Sequence, residues 1–241
     1  MPTPVGFSVD FAGTRLFGDA TDGACGNVLL LHGAGASARH KFSILRHALE
    51  ERDVGMTCFD CIGHGETGGE MGVSSLQSRT RQAQAVIAAR EMCAPLAVMG
   101  FSMGAYNAIK LTQTHEVASL ILIVPGVYTP TAYTLPFGPH FSRAIRRERS
   151  WEDSDAWDIL AQFRGRLLVI AAGNDAVIPR EIPERLVASG INAAWRHLLV
   201  VPDTEHRHLF APLLARPREF EEAMELISHC LYLPTETLTD R

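Results

Sequence analysis

The sequence of 241 residues predicts an α/β fold, in which a mostly parallel sheet is covered by helices on both faces. Runs that are apolar at every position, such as residues 28–31 and 167–172, are typical of strands buried on both sides. Segments with helical periodicity separate these runs, as expected when helices connect parallel strands. A hydrophobic fraction of 46% is sufficient for such a core, and the length fits one domain spanning residues 1–241.

Predicted strands and helices alternate along the chain. Residues 7–11 and 15–17 predict a leading antiparallel pair of strands. The apolar strands that follow are predicted at residues 28–31, 56–60, 96–99, 119–124, 167–172 and 198–201. Helices are predicted at residues 41–52, 74–92, 103–114 and about 209–231. The sheet is therefore expected to contain about eight strands.

The most informative motif is Gly-Phe-Ser-Met-Gly at residues 100–104. An apolar strand leads into it and a helical stretch follows, which places Ser102 at the apex of a tight strand-to-helix turn. Such a turn requires residues without bulky side chains two positions before and after the serine, and Gly100 and Gly104 meet this requirement. The turn exposes the serine Oγ at the end of the sheet, where a nucleophile is needed.

Loops rich in small or polar residues follow four other predicted strands. They read His-Gly-Ala-Gly-Ala-Ser at 32–37, Cys-Ile-Gly-His-Gly at 61–65, Gly-Asn-Asp at 173–175 and Pro-Asp-Thr-Glu-His at 202–206. Together with the serine motif, these loops resemble the α/β-hydrolase superfamily of serine hydrolases, with nucleophile, acid and histidine in that order. The resemblance covers about residues 25–232.

The resemblance implies a catalytic triad and an oxyanion hole. Ser102 is the expected nucleophile and His206 the expected base, with His208 as the rival histidine. Asp175 is the expected acid that orients the base. Two backbone N–H groups are expected to stabilise the oxyanion, those of Ala34 and Met103.

Four further polar residues at strand ends have structural explanations. Asp60 and Asp203 are alternative acids, but each is also typical of a residue that caps a loop. His32 and His64 match family histidines that organise loops, so neither is expected to act as a base.

The superfamily inserts a cap after the strand equivalent to residues 119–124, so a short cap is expected at about residues 126–155, after the sixth strand. This segment is long for a plain connection and has no strand pattern. Its aromatic residues would give a substrate pocket an apolar wall, namely Tyr128, Tyr133, Phe137 and Trp151. Alternatively, these side chains only attach a surface segment to the body of the protein.

The expected cap also carries four arginines within residues 142–150. A helix through this stretch would place Arg143, Arg146 and Arg147 on one face, where they would meet an anionic group of a substrate. The alternative is a solvated helix whose charges are neutralised by acidic residues at 152–158.

The composition argues against several other functions. A net charge of −5 leaves no basic excess for nucleic acid or an anionic membrane, and no apolar run is long enough to span a bilayer. Because the N-terminal residues lack a signal-peptide pattern, a cytoplasmic protein is expected. The five cysteines do not suggest a disulfide framework, and Cys58 and Cys61 are interpreted as a buried residue and a loop thiol. No cofactor or metal is expected, since the chain lacks a nucleotide-binding glycine motif and a complete set of metal ligands.

These observations predict a hydrolase that cleaves a carboxylic ester or thioester of a small molecule through an acyl-enzyme on Ser102. Amidases or peptidases, carbon–carbon bond hydrolases and acyltransferases use the same residues, and the fold does not separate them. Outside enzymes, the alternative is a non-catalytic ligand receptor built on this fold.

Overall fold

The computed structural model describes residues 3–232, and an eight-stranded sheet runs through their centre. Its strands are β1 Val5–Phe11, β2 Thr14–Ala20, β3 Asn27–Leu31, β4 Gly55–Phe59, β5 Leu96–Phe101, β6 Val117–Ile123, β7 Arg166–Ala172 and β8 Trp195–Val201. Their order across the sheet is β1-β2-β4-β3-β5-β6-β7-β8. The pairs β1–β2 and β2–β4 are antiparallel and the others are parallel. The predicted mostly parallel sheet is therefore confirmed.

Helices cover both faces of this sheet, as predicted. They are α1 Ser43–Glu50, α2 Leu76–Ala89, α3 Met103–Leu111, α4 Pro139–Ile145, α5 Ala156–Gln162, α6 Glu181–Ser189 and α7 Pro217–Tyr232. Helices α2, α3, α5 and α6 pack on one face, and α1 and α7 on the other. The four residues 28–31 of β3 alternate between the two cores, and all are buried. Because both faces of β3 are covered, each of these four positions must be apolar.

Several helices begin or end differently from their sequence predictions. The predicted final helix is divided, because Pro212–Ala215 forms a 3₁₀ turn and α7 begins only at Pro217. Proline lacks the N–H that would continue a helix but is favoured in the first turn of a new one. Helix α2 begins after Ser75, whose Oγ accepts a hydrogen bond from the Ser78 N–H at 3.0 Å.

Two helices, α5 and α6, lie where the sequence predicts no helix. They have only 7 and 9 residues, so each spans about two turns. So short a segment contains too few apolar positions for its periodicity to be recognised. Both pack on the same face of the sheet as α3. Along the chain, α5 precedes β7 and α6 precedes β8.

Residues 124–155 connect β6 to α5 and include the segment expected to form a cap. They form a 3₁₀ turn at Pro130–Ala132 and the short helix α4. Backbone hydrogen bonds attach this segment to the start of α2: the Phe137 N–H donates to the Ser74 carbonyl at 2.8 Å, and the Gln77 N–H donates to the Tyr133 carbonyl at 2.9 Å. The segment therefore lies against the body of the protein.

Candidate active site

Ser102 lies between the end of β5 and the start of α3 in a strained backbone conformation. Its φ is 52° and its ψ is −116°, a region that is unfavourable for a residue with a Cβ atom. A Cβ on Gly100 would lie 2.5 Å from the Cα of Ala105, and one on Gly104 would lie 2.1 Å from the carbonyl oxygen of Leu31. Only glycine fits these two positions, because the turn presses the backbone against α3 and β3.

Backbone hydrogen bonds hold this turn in place. The Ser102 N–H donates to the carbonyl of Ile123 at 2.9 Å. The Ser102 carbonyl accepts from the N–H groups of Ala105 at 3.0 Å and Gly126 at 3.1 Å. A strained conformation persists when its surroundings fix it in this way.

The structure brings Ser102, His206 and Asp175 together in a hydrogen-bonded line. Ser102 Oγ lies 2.9 Å from Nε2 of His206, and Nδ1 of His206 lies 2.9 Å from Oδ2 of Asp175. The three residues follow β5, β8 and β7, whose carboxyl ends meet at one edge of the parallel sheet. The side chains of His206 and Asp175 are only 12% and 8% exposed.

Hydrogen bonds keep the Asp175 carboxylate charged. Its Oδ1 accepts from the N–H groups of Val177 at 2.8 Å and Ile178 at 2.9 Å. Burial alone would raise the pKa of Asp175, but the hydrogen bonds from His206, Ile178 and Val177 outweigh it and lower the pKa. Because the charged Oδ2 faces Nδ1 of His206, the ring proton is held at Nδ1, and Nε2 is left to accept from the serine hydroxyl.

The predicted oxyanion donors, Ala34 and Met103, lie in two backbone segments that approach Ser102. Met103 is the first residue of α3, and Ala34 follows β3 in an exposed loop. A Cβ on Gly33 would lie 3.2 Å from the Cβ of Ser102, which shows how closely this loop approaches the serine. Within residues 3–232, neither the Ala34 nor the Met103 N–H donates to a loop carbonyl or a side chain.

The alternative base, His208, and the alternative acids, Asp60 and Asp203, are not part of the hydrogen-bonded line that contains Ser102. His208 is exposed, and its N–H donates to the carbonyl of Glu205 at 3.1 Å. Asp60 is 1% exposed, and its carboxylate pairs with the Arg39 side chain. Asp203 has a φ of 53° in an exposed turn. No hydrogen bond joins these three side chains to Ser102 or His206 in the described part of the chain.

His32 and His64 contact each other and connect loops. His32 accepts from the Cys61 N–H at its Nε2, at 3.0 Å, and its Nδ1 lies 2.7 Å from the carbonyl of Gly33. The ring must therefore carry its proton on Nδ1. Burial, the charge of Arg79 and the neighbouring His64 all lower the pKa of His32 well below its usual value, so the ring is neutral.

Comparison with known proteins agrees with this architecture. A family model described as serine aminopeptidase, S33, matches residues 22–151, more than half of the chain. The chain belongs to this family of α/β-hydrolases.

Solved structures confirm the fold of this hydrolase. The esterase EaEST from Exiguobacterium antarcticum superposes with a TM-score of 0.71 and 19% identity over 95% of this chain and 100% of its own. Est1E from Butyrivibrio proteoclasticus, solved with ferulic acid, has a TM-score of 0.70 and 17% identity over 92% of this chain and 99% of its own. At these identities the comparison establishes the α/β-hydrolase fold alone.

Curated relatives of this hydrolase include an uncharacterized protein of Mycobacterium tuberculosis. The two sequences are 28% identical over 188 residues, which is 77% of this chain. The match spans only 65% of the length of that relative.

The four aromatic residues predicted to line a pocket pack largely against other aromatic rings of the hydrolase. Tyr128 and Tyr133 lie 5.5 and 6.1 Å, centroid to centroid, from the buried ring of Tyr106 on α3. Phe137 contacts Phe141 at 4.9 Å, and Trp151 contacts Trp157 at 6.3 Å. Burial raises the pKa of Tyr128 to about 12, so its hydroxyl is protonated at neutral pH.

A small cavity of about 50 Å³ lies beside Asp175. Its lining includes Val124 after β6, Ile178 after β7, Val200 of β8 and Glu184 of α6, and none of the four predicted aromatic residues. A larger groove of about 590 Å³ lies near Val117 and Gly165, at the amino ends of β6 and β7. This groove is therefore at the opposite edge of the sheet from Ser102.

The predicted arginine face of the cap is not reproduced in full. Helix α4 ends at Ile145, Arg146 is its C-cap, whose N–H donates to the Ser142 carbonyl at 3.1 Å, and Arg147 lies beyond the helix. Arg149 has a φ of 50°, pairs with Glu152 and Glu181, and lies over the ring of Trp151. The Ser150 hydroxyl donates to the carbonyl of Ile145, the last residue of α4, at 2.7 Å.

Arg79 is a site residue that the sequence analysis misses. It lies on α2, and its guanidinium donates to the carbonyls of His32 and Gly33. The available signal is its position, since Leu76 and Ala83, three residues before it and four after it, belong to the core. An arginine on the apolar face of a helix indicates a special role.

Two absences apply to residues 3–232. No helix there combines the length and apolar character needed to cross a membrane. No three His, Cys, Asp or Glu side chains in that range are grouped to hold a metal ion.

Proposed function

We propose that this hydrolase cleaves a carboxylic ester or thioester of a small molecule through an acyl-enzyme on Ser102. His206 acts as the general base, and Asp175 orients it. The observation that carries the proposal is the line of two 2.9 Å contacts, from Ser102 Oγ to His206 Nε2 and from His206 Nδ1 to Asp175. A serine hydroxyl is a weak nucleophile by itself, and an adjacent base oriented by a third group is what activates it.

The first half of the reaction forms the acyl-enzyme. His206 Nε2 takes the hydroxyl proton as Ser102 Oγ attacks the carbonyl carbon of the substrate, and Asp175 stabilises the imidazolium that results. The N–H groups of Ala34 and Met103 stabilise the negative oxygen of the tetrahedral intermediate. The imidazolium then gives its proton to the leaving alcohol or thiol as the carbonyl bond reforms.

The second half hydrolyses the acyl-enzyme. His206 accepts a proton from water, whose oxygen attacks the acyl carbon, and a second tetrahedral intermediate forms. Its collapse releases the carboxylic acid and returns the proton to Ser102 Oγ. The two oxyanions form at the same place, so the same two N–H groups serve both steps.

Two proteins of similar structure favour an ester over other acyl substrates: an esterase from Exiguobacterium antarcticum, and Est1E, which was solved with ferulic acid. The description of the family as serine aminopeptidases favours a second candidate, cleavage of a peptide bond by the same residues. Hydrolysis of carbon–carbon bonds and acyl transfer use the same three residues. Activity measured on defined substrates is therefore needed to distinguish these reactions.

A fluorophosphonate probe tests the activation of Ser102. The wild-type protein should be labelled, Ser102→Ala should not, and His206→Ala should be labelled far more slowly. His208→Ala is the matched control and should be labelled at the wild-type rate. Absence of labelling in the wild type would instead favour a ligand receptor.

A substrate panel tests the bond that is cleaved. It contains p-nitrophenyl esters of short and long acids, the matching thioesters, and aminoacyl and acyl anilides. We expect kcat/KM to be highest for an ester or thioester. A preference for aminoacyl anilides would identify a peptidase instead.

A further inference from the structure

Arg79 carries a charge that the surrounding residues do not neutralise. The residue is only 2% exposed, and no Asp or Glu within residues 3–232 forms an ion pair with it. Its Nε has no hydrogen-bond partner there. Burying a charge without a counter-ion is unfavourable, so the contacts that the guanidinium does make must account for its presence.

Apart from the buried Cys61 side chain, which also interacts with Arg79, the contacts of the guanidinium are with the two segments that flank Ser102. Nη1 donates to the carbonyl oxygen of Gly33 at 3.2 Å and lies 3.3 Å from Sδ of Met103. Nη2 donates to the carbonyl oxygen of His32. The planar fork of the guanidinium thus spans the loop after β3 and the first residue of α3.

The Gly33 carbonyl determines the direction of the Ala34 N–H. A peptide unit is planar and trans, so its C=O and N–H bonds point in opposite directions. Arg79 and the Nδ1–H of His32 both donate to the Gly33 oxygen and hold it towards the interior. The Ala34 N–H must therefore point the other way, out of the interior and into the exposed loop.

We propose that Arg79 is a positioning residue for the oxyanion hole: it holds the Gly33 carbonyl and thereby orients the Ala34 N–H group. This inference rests on the proposed function, in which the Ala34 N–H binds the oxyanion together with the Met103 N–H. The uncompensated positive charge also has the sign that stabilises an oxyanion. Arg79 acts through its neighbours and does not touch the substrate.

The test compares Arg79→Gln and Arg79→Lys with Arg81→Gln, an exposed arginine on the same helix. With an ester substrate, Arg79→Gln should lower kcat by about 10- to 100-fold while KM changes by less than about threefold, since a misaligned donor weakens binding of the transition state alone. Arg79→Lys should lie between Arg79→Gln and the wild type, because one ammonium keeps the charge but lacks the fork. Arg81→Gln should match the wild type.

Affinity for a boronic acid, which forms a tetrahedral adduct on an activated serine, separates positioning from general stability. It should weaken in the Arg79 variants by about the same factor as kcat/KM. Rates are expressed per active site, and thermal melting monitors folding. Wild-type kcat and boronate affinity in a folded Arg79→Lys or Arg79→Gln variant would overturn the proposal. If Arg79→Gln does not fold, Arg79→Lys alone decides.

The failure of the proposed function has a different signature. In that case the wild type itself shows neither fluorophosphonate labelling nor ester turnover, and the orienting role of Arg79 is judged by ¹⁵N NMR. The amide resonances of Gly33 and Ala34 should shift in Arg79→Lys and stay unchanged in Arg81→Gln. Unchanged resonances in both variants would refute the orienting role.

Discussion

At the scale of single residues, chemistry arises from groups that are far apart in sequence. Ser102 and His206 are separated by 104 positions, yet their side chains lie 2.9 Å apart because parallel strands end at the same edge of the sheet. Neither residue is reactive by itself. Their dependence on each other can be measured.

Ser102 and His206 should behave as one catalytic unit. Ser102→Ala and His206→Ala should each lower ester turnover by about 10⁴- to 10⁶-fold, and the double variant should be little worse than either, because one missing partner already removes the shared mechanism. Steady-state rates per folded protein provide the measurement. Losses that multiply in the double variant would contradict the shared mechanism.

Asp175→Asn should preserve the fold and lower kcat by about 10⁴-fold, since an amide favours the wrong histidine tautomer and does not stabilise the imidazolium. The amide oxygen still accepts from the N–H groups of Val177 and Ile178, so the loop keeps its shape. Circular dichroism and ester turnover are the readouts. Asp203→Asn, in an exposed turn, is the control, and the assignment of the acid fails if it shows the larger loss.

At the scale of elements, Asp155 joins the start of α5 to α3. Its carboxylate accepts from the Tyr106 hydroxyl at 2.6 Å and pairs with Lys110 at 2.9 Å. Burial and the neighbouring Asp155 raise the pKa of Tyr106, so its hydroxyl stays protonated and donates. This contact fixes the end of the segment that begins after β6.

Tyr106→Phe should lower the free energy of unfolding by about 1.5–3 kcal/mol, because it removes a hydrogen bond to a charged group while keeping the ring contacts. Tyr133→Phe is the matched control, since the Tyr133 ring contacts the same cluster and its hydroxyl has no hydrogen-bond partner within residues 3–232. Urea unfolding should show a change of less than about 0.5 kcal/mol for the control. Equal losses in both variants would mean that packing, not Asp155, holds this segment.

The strands and the serine turn were predictable from sequence because their constraints are local. Residues 28–31 must be apolar at every position once both faces of β3 are covered, and Gly100 and Gly104 leave room for only one kind of turn. The arginine face was not predictable, because helix α4 ends at Ile145, four residues before Arg149, and Arg149 pairs with Glu181, a residue distant in sequence. Periodicity cannot register such contacts.

The role of Arg79 was also not predictable from the sequence. Its neighbours in sequence identify a buried helix face, but the partners that explain it are the carbonyls of His32 and Gly33. Backbone groups carry no sequence signal. The aromatic residues of the segment after β6 were recognised as a group, whereas their packing against Tyr106 depends on how α3 is placed.

At the scale of the whole molecule, buried histidines link stability to pH. Burial, Arg79 and His64 lower the pKa of His32 in the folded state, whereas the unfolded chain has the usual value of about 6.5. Above that pH both states are neutral, and the lowered pKa has no effect on stability. Below it the unfolded state binds the proton first, so stability falls as the pH falls towards the folded-state pKa.

The free energy of unfolding should therefore decrease between pH 6.5 and 5.5, by at most about 1.4 kcal/mol per pH unit for this one group. Urea titrations at pH 7.5, 6.5 and 5.5 measure the slope. His32→Gln should be less stable at pH 7.5 but should show a shallower slope, and the exposed His208→Gln should not. An unchanged slope in His32→Gln would assign the acid sensitivity to other groups.

Because the φ of Ser102 is positive, selection for stability and selection for activity favour different residues at this position. Any residue with a Cβ atom is strained at that backbone angle by about 1–3 kcal/mol, and glycine is not. In a library randomised at this position and sorted only for resistance to proteolysis, glycine should displace serine. Sorting the same library for ester turnover should recover serine alone. Serine at position 102 should therefore persist during evolution only while the reaction itself is under selection.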